Sequence, residues 1–162
     1  MASPELLSSM CKQFMKPIFA RGRLYDDSLP CVKELHHCGY KVGVVSNTPW
    51  GCPAALWRDE LSRLGLNEFV DGAVFCRDVG WRKPDGRIFS YAMRELGVRV
   101  ADCVFVGDEP RWDVVGPRSV GMRSILIDRT GKLSDEYPDA IRSLNELSGR
   151  LKVGVASWQG GD

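Results

Sequence analysis

Two aspartates follow an apolar, strand-like run in the segment VFVGDEPRWD, which covers residues 104–113. Asp108 comes directly after the run, and Asp113 lies where the next helix is expected to begin. Two carboxylates held close together repel each other unless a cation lies between them, and carboxylate oxygens are ligands that Mg²⁺ prefers. The spacing therefore predicts that Asp108 and Asp113 bind Mg²⁺.

Hydroxyl, amide and amine groups follow two other strand-like runs. Ser46 and Asn47 come after KVGVV, and their side chains, with nearby backbone N–H groups, suit phosphate oxygens. Lys83 precedes Pro84, which disfavours helical geometry at the lysine and favours an extended approach to the same place. A lysine and a metal ion neutralise the charge of a transferring phosphoryl group. We predict phosphate binding by Ser46, Asn47 and Lys83, and catalytic roles for Lys83 and Asp108.

Alternating helix and strand patterns must position these groups. Apolar residues recur at helical spacing in six segments, and short apolar runs bounded by turn residues occur in four. The predicted helices cover residues 3–16, 28–38, 53–64, 85–96, 111–120 and 138–147, and the predicted strands cover residues 42–46, 73–76, 103–106 and 124–128. Pro17 is expected to end the first helix. This order predicts a doubly wound parallel α/β sheet, in which ligands bind outside the carboxyl ends of the strands.

Length, charge and cysteine content narrow the class of protein. A chain of 162 residues is expected to form one domain, which we assign to residues 1–150, with a tail at 151–162 that has room for one more short strand. The 22 basic and 21 acidic residues nearly cancel, so neither a nucleic-acid nor a membrane partner is predicted. Six cysteines without a C-x-x-C pair are typical of the reducing cytoplasm.

Three of these segments, in this order, resemble a known family. VVSN, RKPDGRIF and VFVGDEPRWD are similar to the second, third and fourth motifs of the haloacid dehalogenase-like hydrolase superfamily, and the resemblance covers roughly residues 28–130. It implies a Mg²⁺-dependent phosphatase acting on a small phosphorylated molecule through an aspartyl-phosphate. It also implies that Ser46 binds the phosphate, that Lys83 bridges phosphate and nucleophile, that Asp108 binds Mg²⁺, and that Asp113 supports the metal directly or through water.

The family's first motif, a strand ending in D-x-D that supplies the nucleophile, is not found in this sequence. Asp26, Asp27 and Asp128 do not fit that motif's context or position, and residues 1–25 resemble the last piece of the family's helical cap. The missing strand is the central one, between the strands at 42–46 and 103–106. Either those two strands pair directly, or another chain fills the gap between them.

Several functions therefore remain open. The chain could be a phosphatase in which another carboxylate replaces the nucleophile, or a non-catalytic module that binds phosphate and Mg²⁺. It could also be one half of a two-chain enzyme or a homodimer that completes the sheet. A receiver-like signalling domain also groups acids, a hydroxyl and a lysine at strand ends, but there the acids come first in the sequence.

Overall fold

The structure is a computed structural model that describes residues 3–49 and 52–156. Helices and strands alternate along most of this length, as the apolar patterns predict. The helices are α1 (Pro4–Arg21), α2 (Ser28–His37), α3 (Ala54–Arg63), α4 (Cys76–Val79), α5 (Gly86–Leu96), α6 (Gly116–Arg118) and α7 (Leu147–Ala156), and the strands are β1 (Gly43–Ser46), β2 (Gly72–Phe75), β3 (Val104–Gly107) and β4 (Arg123–Leu126). A π-helical turn, Pro110–Val115, connects β3 to α6.

All four strands run parallel to their partners, which confirms the predicted α/β class. They form two separate pairs: β1 pairs with β2, and β3 pairs with β4. Of the two alternatives for the missing central strand, direct pairing of β1 with β3 is not observed, because no ladder joins them in the part of the chain that the structure describes. Instead Phe89 of α5 packs edge-on against Phe105 of β3, with ring centroids 5.1 Å apart. Side chains therefore link the two pairs where a backbone ladder was expected.

Three apolar clusters hold the helices against the strands. The first lies around Ile88 and Phe89 of α5, both fully buried, and includes Val74 of β2. A second brings α2 and α7 against β4 around the fully buried Ile141. The third joins α1 to α3 through Met15, which has no exposed surface. Among the described residues, no helix is long and apolar enough to cross a membrane.

Two predicted elements differ from the structure at their ends. The first helix does not end at Pro17 but continues to Arg21. The lost hydrogen bond at an internal proline costs about 3 kcal/mol. Contacts on both sides of it offset that cost, because Met15 is buried and Phe19 packs edge-on against Trp57 at 5.1 Å.

The C-terminal segment is helical where a short strand was considered. Residues 151–156 belong to α7, and residues 157–162 lie outside the described part. Leu147 is buried and Leu151 packs against the same cluster, so leucines four residues apart place one helical face on the core. The helix predicted at 138–147 is wrong except for its last residue: residues 138–146 contain no α-helix, and a short turn at 144–146, in which Ser143 and Glu146 form a capping box, leads into α7. The assignment of residues 1–150 to a single core, with 1–25 as a cap remnant, stays a prediction.

Candidate functional site

The predicted site residues lie where three parts of the fold meet. Ser46 is the last residue of β1, Asp108 follows β3 directly, and Lys83 lies in the loop between α4 and α5. Because β1 and β3 are both parallel to their neighbours, their carboxyl ends mark the edge where ligands bind in α/β sheets. Ser46 and Lys83 are half-buried and Asp108 is exposed. The edge thus combines a hydroxyl, an amine and a carboxylate.

Lys83 and Asp113 form a buried ion pair. Lys83 Nζ lies 2.6 Å from Asp113 Oδ1, and the two side chains are only 11 % and 4 % exposed. The other carboxylate oxygen, Asp113 Oδ2, accepts a hydrogen bond from the Glu109 backbone N–H at 3.1 Å. A Cβ at Gly107 would lie 2.4 Å from the Asp113 carboxyl carbon, so only glycine allows this close approach. These contacts hold the Asp113 carboxylate against Lys83, close to the end of β3.

Asn47 fixes the backbone of Lys83. Its Nδ2 donates to the Lys83 carbonyl oxygen at 3.1 Å, and its Oδ1 accepts from the Lys83 N–H at 2.9 Å. Two hydrogen bonds to the same residue set both the position and the orientation of the loop. A second Nδ2 proton remains for another acceptor. Phosphate binding by Asn47 stays a prediction, while its observed contacts are those of a residue that positions Lys83.

Thr48 and Arg82 make contacts that the sequence patterns did not predict. Thr48 is fully buried, and its N–H donates to Cys76 Sγ at 3.2 Å. Arg82 donates to the Thr48 carbonyl oxygen at 3.1 Å. These bonds tie the loop after β1 to the end of β2, next to the Asn47–Lys83 contact. The sequence signal was weak, because a threonine after a strand is most often a cap.

The residues present suit a hard cation only in part. Asp108 offers an exposed carboxylate, whereas both oxygens of Asp113 are already engaged by Lys83 and Glu109. The structure shows no group of three or more acidic, histidine or cysteine side chains that could hold a metal, within the described residues. Mg²⁺ is nevertheless commonly bound by one or two carboxylates, with water and phosphate completing its octahedron. Asp108 is thus the residue whose chemistry fits direct coordination.

Two of the three aspartates considered as a replacement nucleophile are engaged in structural contacts. Asp27 accepts two hydrogen bonds from Arg129, each at 2.8 Å. Those bonds hold the pKa of the Asp27 carboxyl well below its usual range. Asp128 accepts from the Leu133 N–H at 2.7 Å and from the Thr130 hydroxyl at 3.1 Å, and these bonds, led by the one from Leu133, lower its pKa. In both carboxylates each of the two oxygens already accepts at least one hydrogen bond.

Asp26 lies in a different setting, at a cavity of about 540 Å³. Its side chain is exposed. Across the cavity, Arg129 stacks on Tyr25, with the guanidinium carbon 3.9 Å from the ring centroid. Ser143 and Asn145 also line the cavity. Helix α2 begins next to these residues, and a helix that precedes a parallel strand begins at the strands' carboxyl edge. The cavity therefore opens at the same edge as the predicted site.

Known proteins resemble the chain in sequence. A family model described as haloacid dehalogenase-like hydrolase matches residues 6–121. The glyceraldehyde 3-phosphate phosphatase of Methanopyrus kandleri is 33 % identical over 135 residues, which make up 83 % of this chain and 56 % of that protein. The phosphoserine phosphatase of Thermus thermophilus is 30 % identical over 138 residues, 85 % of this chain and 53 % of that protein. The chain spans about half the length of these relatives.

Solved structures resemble its fold. A HAD phosphatase from Thermococcus onnurineus gives a TM-score of 0.75 at 33 % identity and covers 86 % of this chain and 63 % of that one. A 2-haloacid dehalogenase from Pseudomonas syringae pv. Tomato gives 0.68 at 29 % identity, covering 85 % and 55 %. The parallel strand pairs agree with these likenesses. With most of its length matched by the family model, the chain belongs to the haloacid dehalogenase-like hydrolase family.

Proposed function

We propose that the carboxyl edge of the strands is a phosphatase-type site that binds small phosphomonoesters together with Mg²⁺. The observation that supports it best is the buried Lys83–Asp113 pair, fixed by Asn47 beside the end of β1. A lysine held in a shielded place keeps its charge available to an anion without reorganisation. The relatives named above as phosphatases act on small phosphorylated compounds, which favours the same class of ligand here.

Each residue has a defined task in this proposal. The Ser46 hydroxyl donates to one phosphate oxygen, and Lys83 donates to another. The ammonium group has three protons, of which one faces Asp113 at 2.6 Å, so two remain for the ligand. Asp108 would hold Mg²⁺, which when bound neutralises negative charge on the phosphoryl group. Asp113 does not bind the ligand; it holds the Lys83 ammonium in place.

Hydrolysis through an aspartyl-phosphate requires a carboxylate that attacks phosphorus, and this is the step on which turnover depends. Asp27 and Asp128 are engaged, so Asp26 is the candidate that remains of the three. Loss of the nucleophile in a covalent catalyst costs on the order of 10⁶ in rate. We therefore propose that the chain binds phosphomonoesters, and that efficient turnover needs either Asp26 or a carboxylate from a partner chain as the nucleophile.

The proposal is tested by phosphate binding and by hydrolysis of para-nitrophenyl phosphate, each measured with Mg²⁺ and with a chelator. We expect Mg²⁺ to tighten phosphate binding, and we expect Asp108→Asn and Ser46→Ala to weaken it about tenfold or more, because each removes one direct contact. If both variants bind phosphate as tightly as the unchanged protein, the proposed site is contradicted. Turnover that Asp108→Asn abolishes would show that the proposed site hydrolyses the ester, and Asp26→Asn would then test whether Asp26 is the nucleophile.

A second candidate, favoured by the sheet topology, is a site completed by another strand. β1 and β3 have no backbone partner on their facing sides in the described structure, so an extended segment could bond to both edges. The segment would come from a second copy or from a separate chain. Light scattering after size-exclusion chromatography distinguishes these two sources, because a dimer supports a second copy of this chain. A mass of one chain at every concentration contradicts the second copy as the source.

The proposed location is the cytoplasm. All six cysteines are free thiols in the structure, as a reducing compartment requires. Counting thiols in protein isolated under alkylating conditions tests this, since six alkylated cysteines are expected and fewer would indicate disulfides.

A further inference from the structure

The cavity beside Arg129 lies next to the proposed metal ligand. In the β3–β4 ladder Gly107 pairs with Leu126, so the residues that follow these two strands leave the sheet side by side. Asp108 comes one residue after Gly107, and Arg129 comes three residues after Leu126. The negative charge of Asp108 contributes to raising the pKa of Arg129, behind the larger effect of Asp27. The cavity therefore lies beside the position proposed for the phosphoryl group.

The positive charge in the cavity is already neutralised. Arg129 donates two N–H groups to Asp27, at 2.8 Å each, and its plane is stacked on Tyr25. Asp27 is further fixed by the Ser143 hydroxyl at 2.8 Å and the Leu144 N–H at 2.9 Å. This bidentate, stacked guanidinium is therefore part of the wall, and its charge is balanced by that of Asp27, so the pair adds no net positive charge to the cavity.

The remaining charge is negative. Asp26 lines the same cavity, its side chain is exposed, and the Arg129–Asp27 pair does not neutralise it. Ser143 and Asn145 add polar groups without charge. A cavity of about 540 Å³ has ample room for the two to four carbon atoms of a small alcohol. Its net charge, polar lining and size together set which alcohols fit.

We infer that this cavity takes the alcohol part of the phosphomonoester and that Asp26 determines its charge: hydroxyl or amine groups are accepted and a carboxylate is rejected. The inference rests on the proposed phosphate site. One aspartate at about 6 Å attracts an ammonium group and repels a carboxylate. Together these two effects make the affinity for an amine ester roughly tenfold higher than that for a carboxylate ester at low ionic strength, and salt reduces the difference.

Three esters of similar size test the inference: 2-aminoethyl phosphate, 2-hydroxyethyl phosphate and phosphoglycolate, with inorganic phosphate as the reference. Their affinities are measured by calorimetry at one Mg²⁺ concentration, in low and in high salt. We expect the order amine, hydroxyl, carboxylate, with a spread of roughly three- to tenfold that shrinks in 0.5 M salt. Asp26→Asn should remove most of the spread. Asp139→Asn, at a side chain that is 99 % exposed, is the matched control and should leave it unchanged.

The outcomes separate this inference from the proposed function. Binding of inorganic phosphate with equal affinities for the three esters would overturn the role of the cavity and leave the phosphate site intact. A spread that Asp26→Asn does not reduce, or that Asp139→Asn reduces equally, would overturn the role of Asp26. Failure of inorganic phosphate to bind would overturn the phosphate site and this inference with it.

Discussion

Lys83 shows how far residue types alone can predict a site. Its position before a proline, together with acids at a strand end, indicated a charge aimed at the edge of the sheet, and the structure places it there. The sequence predicted Asp113 as a partner of Asp108 around a cation, whereas the structure pairs Asp113 with Lys83. The two hydrogen bonds between Asn47 and the Lys83 backbone join residues that are 36 positions apart. Local sequence patterns contain no information about such a contact.

The Lys83–Asp113 pair should be costly to break from one side. In Lys83→Met the Asp113 carboxylate, 4 % exposed, loses its cation, and a buried charge without its partner costs about 3–5 kcal/mol. We expect urea unfolding to show a loss of this size. Adding Asp113→Asn should recover part of it, because the buried group is then neutral.

An exposed ion pair of similar geometry provides the control. Arg87 lies 2.6 Å from Asp85, but its side chain is 65 % exposed, and pairs of this kind contribute about 1 kcal/mol or less. Arg87→Met should therefore change the free energy of unfolding little. If the two methionine variants unfold at the same urea concentration, burial does not strengthen the Lys83–Asp113 pair.

At the scale of elements, the helices that pack against strands were the most predictable. α3 and α5 begin and end within about a residue of the predicted positions, because their apolar faces are regular and each is followed by a glycine in left-handed geometry, with φ of +72° at Gly65 and +62° at Gly97. The end of α1 and the C-terminal helix were predicted less well. Both depend on contacts with distant residues, such as Phe19 with Trp57, which can outweigh a local signal like Pro17.

The junction between β3 and the following π-helical turn depends on Gly107. In Gly107→Ala the new methyl group would lie 2.4 Å from the Asp113 carboxyl carbon, so the turn must shift. We expect a loss of roughly 1–3 kcal/mol in the free energy of unfolding, together with weaker phosphate binding, since Asp113 positions Lys83.

Gly149 in α7 is the matched control, because nothing lies within 4 Å of a Cβ placed there. Alanine in a helix interior is favoured over glycine by about 0.5–1 kcal/mol. Gly149→Ala should thus raise the urea midpoint slightly while Gly107→Ala lowers it. Changes of the same sign in both variants would show that crowding at Asp113 is not the cause.

Across the whole molecule, the long-range contacts of Asp27 join the start of α2 to the second half of the chain. The carboxylate binds Arg129, Ser143 and Leu144, which are 102 to 117 positions away. Sequence patterns did not predict this connection, because they describe neighbours along the chain and not the closure of the fold. The alternation of helical and strand-like patterns predicted the positions of the four strands along the chain. It did not predict their separation into two pairs, since pairing depends on which strand edges meet in space.

Asp27 should make stability sensitive to acid. Its pKa is lowered in the folded state by Arg129, so its stabilising effect is complete above the unfolded value of about 3.9 and is lost as the pH falls below it. The contribution of this group to the slope approaches about 1.4 kcal/mol per pH unit. The free energy of unfolding, measured in urea from pH 6 to pH 2, should therefore fall less steeply with acid in Asp27→Asn than in the unchanged protein. Asp139→Asn serves as the control, and identical acid profiles for all three proteins would contradict the prediction.

The separation of the strands into two pairs also has a mechanical consequence. Each pair is joined by a ladder of backbone hydrogen bonds, whereas β3 is connected to the first pair through helix α5, whose Phe89 packs against Phe105 of β3. A ladder loaded along its strands must break several bonds at once, but packed side chains can slide and separate one at a time. Under tension applied across the two pairs, we expect the molecule to open first along the line between β1 and β3, leaving two folded halves.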